Sequence, residues 1–130
     1  MLQTRDFPCH PSSVGEVRKF ILQQAATSGI PESSATELTL AVHEAFANAM
    51  IHTDSRRVRV SWVGVGSCAE VRVIDEGHYR SPTAVLDPNG FGLGVPIMMA
   101  MVDEFSIRPG THRSPGTVVR LMKCWEADGS

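Results

Sequence analysis

Glu44-Ala-Phe-Ala-Asn48-Ala-Met-Ile-His52 places a carboxylate, a carboxamide and an imidazole at four-residue intervals in an otherwise apolar run. On a helix these positions stack one above the next, so the three side chains form one polar stripe. Leu38, Leu40, Ala41, Val42, Ala45, Phe46, Ala47, Ala49, Met50 and Ile51 surround the stripe. A helix apolar over most of its circumference is predicted to be buried. An unpartnered polar group there costs roughly 1–3 kcal/mol, so Glu44 and Asn48 are satisfied either by the protein or by a ligand. The helix alone leaves both readings open.

Working outward, Pro31 and the capping-box spacing Ser34-Ala-Thr-Glu37 predict where this helix opens, and it runs to about Thr53. Ser13-Val-Gly-Glu16 is a second capping-box match. Val14, Val17, Phe20, Ile21 and Ala25 follow it at helical intervals until Gly29 supplies a stop. Leu2 to Phe7 reads as an extended segment stopped by Pro8. Beyond Asp54-Ser55 the period changes to two, with Arg57 to Trp62 and Glu70 to Ile74 alternating on either side of Gly64 and Gly66-Ser67. This predicts an antiparallel hairpin. Pro82, Pro88 and Asn89-Gly90 make the stretch from Gly77 to Phe91 a loop or lid. Ile97, Met98, Met101 and Val102 give a third helical stripe, with Pro96 acceptable in its first turn. Met98, Met99 and Met101 read as core and partner-facing helix surface. Phe105 to Arg108 and Thr117 to Met122 read as closing strands separated by a loop from Pro109-Gly110 to Pro115-Gly116, and the tail from Glu126 is polar. Helices grouped between antiparallel strand pairs imply an α/β (α+β) two-layer sandwich, a mostly antiparallel mixed sheet with about three helices on one face.

Composition narrows the class. With 130 residues and 42% hydrophobic content, the chain fits a single domain over residues 1–130 with a real core. The net charge is −2, and Lys and Arg are scattered apart from Arg56-Arg57-x-Arg59, so no footprint for direct nucleic-acid binding is evident. No apolar run approaches the roughly 20 residues of a membrane span. Cys9, Cys68 and Cys124 are far apart and odd in number, which argues against a disulfide framework and suits a reducing cytoplasm. Cys9-His10 lacks partners at ligand spacing, so no metal is assigned to it.

Two glycine clusters then join the Glu/Asn helix. Asp75-Glu-Gly77 closes a predicted strand, where a carboxylate can accept from an exocyclic amine and a glycine lets a flat ring approach the backbone. Gly92-Leu93-Gly94 precedes a helix, where free N–H groups and the positive end of the helix dipole seat a phosphate. Neither a Gly-Lys-Ser/Thr loop nor a Gly-x-Gly-x-x-Gly after the first strand is present.

In order and spacing, Glu44-x-x-x-Asn48, Asp75-x-Gly77, Gly92-x-Gly94 and Gly116-Thr117 resemble the N box and glycine boxes of the GHKL ATPase superfamily. The match is closest to its small anti-sigma-factor serine-kinase branch and spans nearly the whole chain. The resemblance implies a Bergerat-type ATP site. In it Asn48 ligates Mg²⁺ through its amide oxygen, and Glu44 is the general base for the attacking hydroxyl. Asp75 holds the adenine amine, with Gly77 beside the ring and Thr117 supporting that contact. Gly92, Leu93 and Gly94 line the phosphates, Arg80 is the one cation between Asp75 and Gly94, and Tyr79 to Phe91 is the ATP lid. One departure is Tyr79, where the family commonly has a glycine. His52 matches a residue often found in the N box, and packing or hydrogen bonding at the helix end is its expected role.

The function implied is an ATP-dependent serine-protein kinase that doubles as an anti-sigma factor. It would sequester a sigma factor, phosphorylate an anti-anti-sigma (STAS) protein, and form a homodimer. A different reading stays open at this point: a non-catalytic module on the same fold that only sequesters a regulatory protein.

Overall fold

The computed structural model describes residues 2–78, 94–111 and 113–126. Helix α2 spans Glu32–His52 and buries Leu38, Ala41, Val42, Ala45, Phe46 and Ala49, as its apolar pattern requires. It stops at Thr53, which is extended at φ −128° and ψ 167° and whose hydroxyl donates to the Ala49 carbonyl at 2.6 Å. The same carbonyl also accepts from the Thr53 N–H at 3.3 Å, so both groups of Thr53 close the last turn. Helix α1 spans Val14–Ser28 and ends on Gly29, at a φ of 72° that suits glycine.

Neither expected capping box forms. A 3₁₀ turn at Pro11–Ser13 leads straight into α1, so Ser13 already has helical backbone and its side chain makes no cap bond. The turn is capped instead by His10, whose Nδ1 accepts from the Ser12 N–H at 3.0 Å. In α2 the chain enters the helix directly from Pro31, which puts Ser34 inside the first turn instead of ahead of it.

Strands β1 (Leu2–Pro8), β2 (Arg57–Val65), β3 (Cys68–Asp75), β4 (Glu104–Arg108) and β5 (Thr117–Cys124) form one sheet in the order β1-β2-β3-β5-β4. Every pairing is antiparallel, so the mixed sheet anticipated from sequence is wholly antiparallel among the described residues. Helix α3 spans Gly94–Met101 and packs on α2. Val58, Val60 and Trp62 of β2, Val71 and Val73 of β3, and Val119 and Leu121 of β5 are buried on the face that meets the helices. Their alternate neighbours form the other face. There Arg59 meets Asp6 at 2.8 Å, Arg72 meets Glu70 at 2.7 Å, and Arg120 bridges Glu70 and Glu104 at 3.2 Å each. The two-layer α+β sandwich follows from this division into one apolar and one charged face.

The cysteine reading is corrected. Cys68 and Cys124 are directly opposed in the β3–β5 ladder, with Cα atoms 4.0 Å apart, and form a disulfide. Their separation of 56 residues concealed the pair, because only strand order and register bring the two ends together. With this bond the cysteine argument for a reducing compartment falls away, and Cys9 is left as the free thiol among the described residues. No helix among the described residues is long and apolar enough to cross a membrane. The anticipated lid from Tyr79 to Phe91, with Arg80, and also Gly92 and Leu93 fall outside the described residues.

Candidate functional site

Where α2 meets α3, the two helices come very close. Ala45 and Ala49 on α2 and Gly94, Val95 and Met98 on α3 are all buried. Asn48 lies between them, 4% exposed. A Cβ added to Gly94 would sit 3.2 Å from Asn48 Oδ1, so the glycine is what lets the start of α3 approach the carboxamide. Asn48 Nδ2 is buried with no hydrogen-bond partner among the described residues. A buried donor is normally satisfied, so this amide fits a ligand that brings acceptor oxygens. Glu44 stands one turn before it on the same face, half-buried, and His52 is half-buried in the last turn of α2.

The second polar centre is at the end of β3. Asp75 is 5% exposed, its carboxylate accepts from the Gly77 N–H at 3.1 Å, and Thr117 is its partner across the ladder. Thr117 is buried as well. Gly116 has a φ of 116°, and a Cβ there would lie 2.7 Å from the Asp75 carbonyl oxygen. Its N–H donates to the Gly77 carbonyl at 3.0 Å, so the two glycine segments close around Asp75. The sequence reading assigned Gly77 to a ring ligand. The structure adds a second reason for that glycine: its Cβ would strike the Ser55 backbone and lie 2.5 Å from Asp54 Oδ1.

Burial pushes the Asp75 carboxyl up to about 6, against the Gly77 and Thr117 backbone N–H groups that lower it, and the Asp54 and Glu76 charges add to the rise. A raised carboxylate pKa gives a stability contribution that is complete below the unfolded value of 3.8 and is lost as pH rises through about 6. Asp75→Asn is therefore expected to stabilise the ligand-free protein at pH 7.5 by on the order of 2–3 kcal/mol. Urea unfolding should show that gain shrinking steadily towards pH 4.5. Equal gains at both pH values would mean that Asp75 is not held with a raised pKa.

Three residues near this centre carried no functional signal in the sequence. Cys9 was read as part of an incidental Cys-His pair, yet burial and, after it, the Asp75 charge push its thiol up. Asp54 and Ser55 were read as a boundary between helix and strand, yet both touch the Asp75–His78 segment. Their spacing from Asp75, about 20 residues, matches no motif. A larger apolar groove of about 500 Å³ lies between α1 and α2, lined by Val17, Ile21, Leu40 and Phe46 among others. It contains none of the candidate residues.

A buried carboxylate that can accept from a ring amine, and a buried carboxamide facing the start of α3, are complementary to the two ends of a nucleotide. Residues 7–123 match the model of the histidine kinase-like ATPase domain. The chain belongs to that family. Among solved structures it is similar to the RsbU and RsbW domains of Rv1364c from Mycobacterium tuberculosis, with a TM-score of 0.74 and 18% identity over 95% of this chain and 32% of that one. It is also similar to the histidine kinase AdeS of Acinetobacter baumannii, with a TM-score of 0.50 and 13% identity over 95% of this chain and 68% of that one. At these identities the likeness is one of fold, and this chain spans about a third of the length of the first. No curated protein matches it in sequence.

Proposed function

We propose that the chain is an ATP-binding domain that transfers the γ-phosphoryl group to a serine of a partner protein. The observation that carries this reading is the buried Asn48 amide, which faces Gly94 and has no partner among the described residues. Asp75 would accept from the adenine amine, with Gly77 and Thr117 holding its carboxylate in place. Gly94 with Gly92 and Leu93 would offer backbone N–H groups to the phosphates, and Arg80 would add a positive charge. Asn48 Oδ1 is a hard oxygen donor suited to Mg²⁺, an ion that would offset the phosphate charge when bound. Glu44 would take the proton of the serine hydroxyl as its oxygen bonds to the γ-phosphorus and the bond to the bridging oxygen breaks, releasing ADP.

The resemblance to the anti-sigma-factor kinases supports a sigma factor and a STAS-type antagonist as partners, and a homodimer. Residues 1–130 would act as one domain.

Calorimetric titration of ATP, with and without Mg²⁺, into the wild type and Asn48→Ala tests the site. Mg²⁺-dependent binding is expected in the wild type and its loss in the variant. No binding at millimolar nucleotide would overturn the reading.

A further inference from the structure

Between the end of α2 and the end of β3 runs a short bridge that neither the motifs nor the proposed chemistry uses. Thr53 Oγ1, anchored on the Ala49 carbonyl, accepts from the Ser55 N–H at 3.2 Å. Ser55 Oγ accepts from the Glu76 N–H at 3.0 Å and donates to the Arg57 carbonyl at 2.6 Å. Asp54 Oδ1 accepts from the His78 N–H at 2.7 Å, while the Asp54 N–H donates to the His78 carbonyl at 3.3 Å. Gly77, between those two acceptor-bound residues, has its Cα face filled by Asp54 and Ser55. The segment after Asp75 is thus fixed on both sides of Gly77 by two side chains that directly follow the helix carrying Glu44 and Asn48.

We propose that Asp54 and Ser55 are positioning residues that lock the Asp75–His78 turn to the C-terminal end of α2. The lock sets where the base-binding carboxylate stands relative to the phosphate-end carboxamide. This inference rests on the ATP-site reading for its consequence in binding, although the lock itself is a property of the ligand-free protein. Neither residue touches the nucleotide in this scheme. Each acts through the backbone of Glu76 and His78, which carries the Gly77 N–H that Asp75 accepts. The effect is local, because Asp54 is an exposed side chain with no part in the core.

Two readouts separate the lock from the ATP reading. Amide hydrogen exchange in the ligand-free protein should quicken at least tenfold at Glu76 and His78 in Asp54→Ala and Ser55→Ala, with core amides unchanged. Asp54→Asn keeps an acceptor oxygen for the His78 N–H and should restore most of the protection. In calorimetry, Asp54→Ala should bind ATP about tenfold more weakly and inorganic triphosphate with Mg²⁺ as the wild type does, because only the base end is loosened. Unchanged exchange at Glu76 and His78 would overturn the lock. So would faster exchange with unaltered ATP affinity, or equal weakening for ATP and triphosphate. Wild-type protein that binds no nucleotide overturns the ATP reading, and the exchange result then decides the lock by itself.

Discussion

Glu44→Gln is expected to lower phosphoryl transfer to a partner serine by about 10²–10⁴-fold, the usual contribution of a general base. ATP affinity should stay within about twofold of wild type. The substitution preserves the side-chain volume of a half-buried position on α2 and replaces the carboxylate by a neutral amide that cannot take a proton. Asn48, one turn further along, keeps its place against Gly94, so the nucleotide end of the site is untouched. Single-turnover transfer of labelled γ-phosphate, with binding measured in parallel, separates the two quantities. Equal transfer by wild type and variant would remove Glu44 from the chemistry. Binding without transfer in both proteins would instead favour a module that only sequesters its partner.

Loss of the Cys68–Cys124 bond has the largest expected effect on stability. The chain-entropy argument for a closed loop with a sequence separation of 56 residues gives about 4 kcal/mol. For a domain of this size that corresponds to a fall in Tm of roughly 10–15 °C. The bond joins β3 and β5 at the end of the ladder opposite Asp75 and Thr117, so the effect should fall on unfolding and leave nucleotide affinity near its wild-type value. Thermal unfolding of wild type with and without dithiothreitol, beside Cys68→Ser, provides the check. Reductant should lower the Tm of the wild type to that of the variant and leave the variant unmoved. A wild type indifferent to reductant would show that the two thiols are not bridged in solution. In a reducing cytoplasm the pair is held as thiols and this contribution is withheld.

The two effects lie at opposite ends of what could be read from the chain alone. Periodicity placed α1, α2, α3 and the inner strands β2, β3 and β5, because each of these buries one face and the spacing of apolar residues reports that face directly. Strands β1 and β4, which bury one residue and none, were read from their extended composition and from the turn residues beside them. Where local signals competed with the approach of neighbouring segments, they lost. Ser13 and Ser34 have capping-box spacing, but a 3₁₀ turn and Pro31 set the helix starts before either could cap.

Of the candidate site, Asn48 was singled out by the polar stripe it shares with Glu44 on an apolar helix, and Asp75, Gly77, Gly94 and Thr117 by chemistry-bearing or permissive residues at predictable element ends. The order of the motifs made the set specific. Asp54 and Ser55 were not legible, since serine and aspartate after a helix are ordinary boundary residues and their contacts are made to a turn about 20 positions away.

By itself, then, the sequence determined the two-layer architecture, the family and the two polar centres on α2 and β3. The architecture and the two centres follow from short-range periodicity and from residue chemistry at fixed spacing, whereas the family came from the resemblance of the motif set and the match of residues 7–123. Only the tertiary structure decided that every strand pairing among the described residues is antiparallel, that Cys68 faces Cys124, that burial lifts the Asp75 carboxyl, and that Asp54 and Ser55 bond to the turn beside it. Each of those depends on strand register or on contacts between distant segments. No local pattern encodes such contacts, because they exist only once the chain has closed on itself.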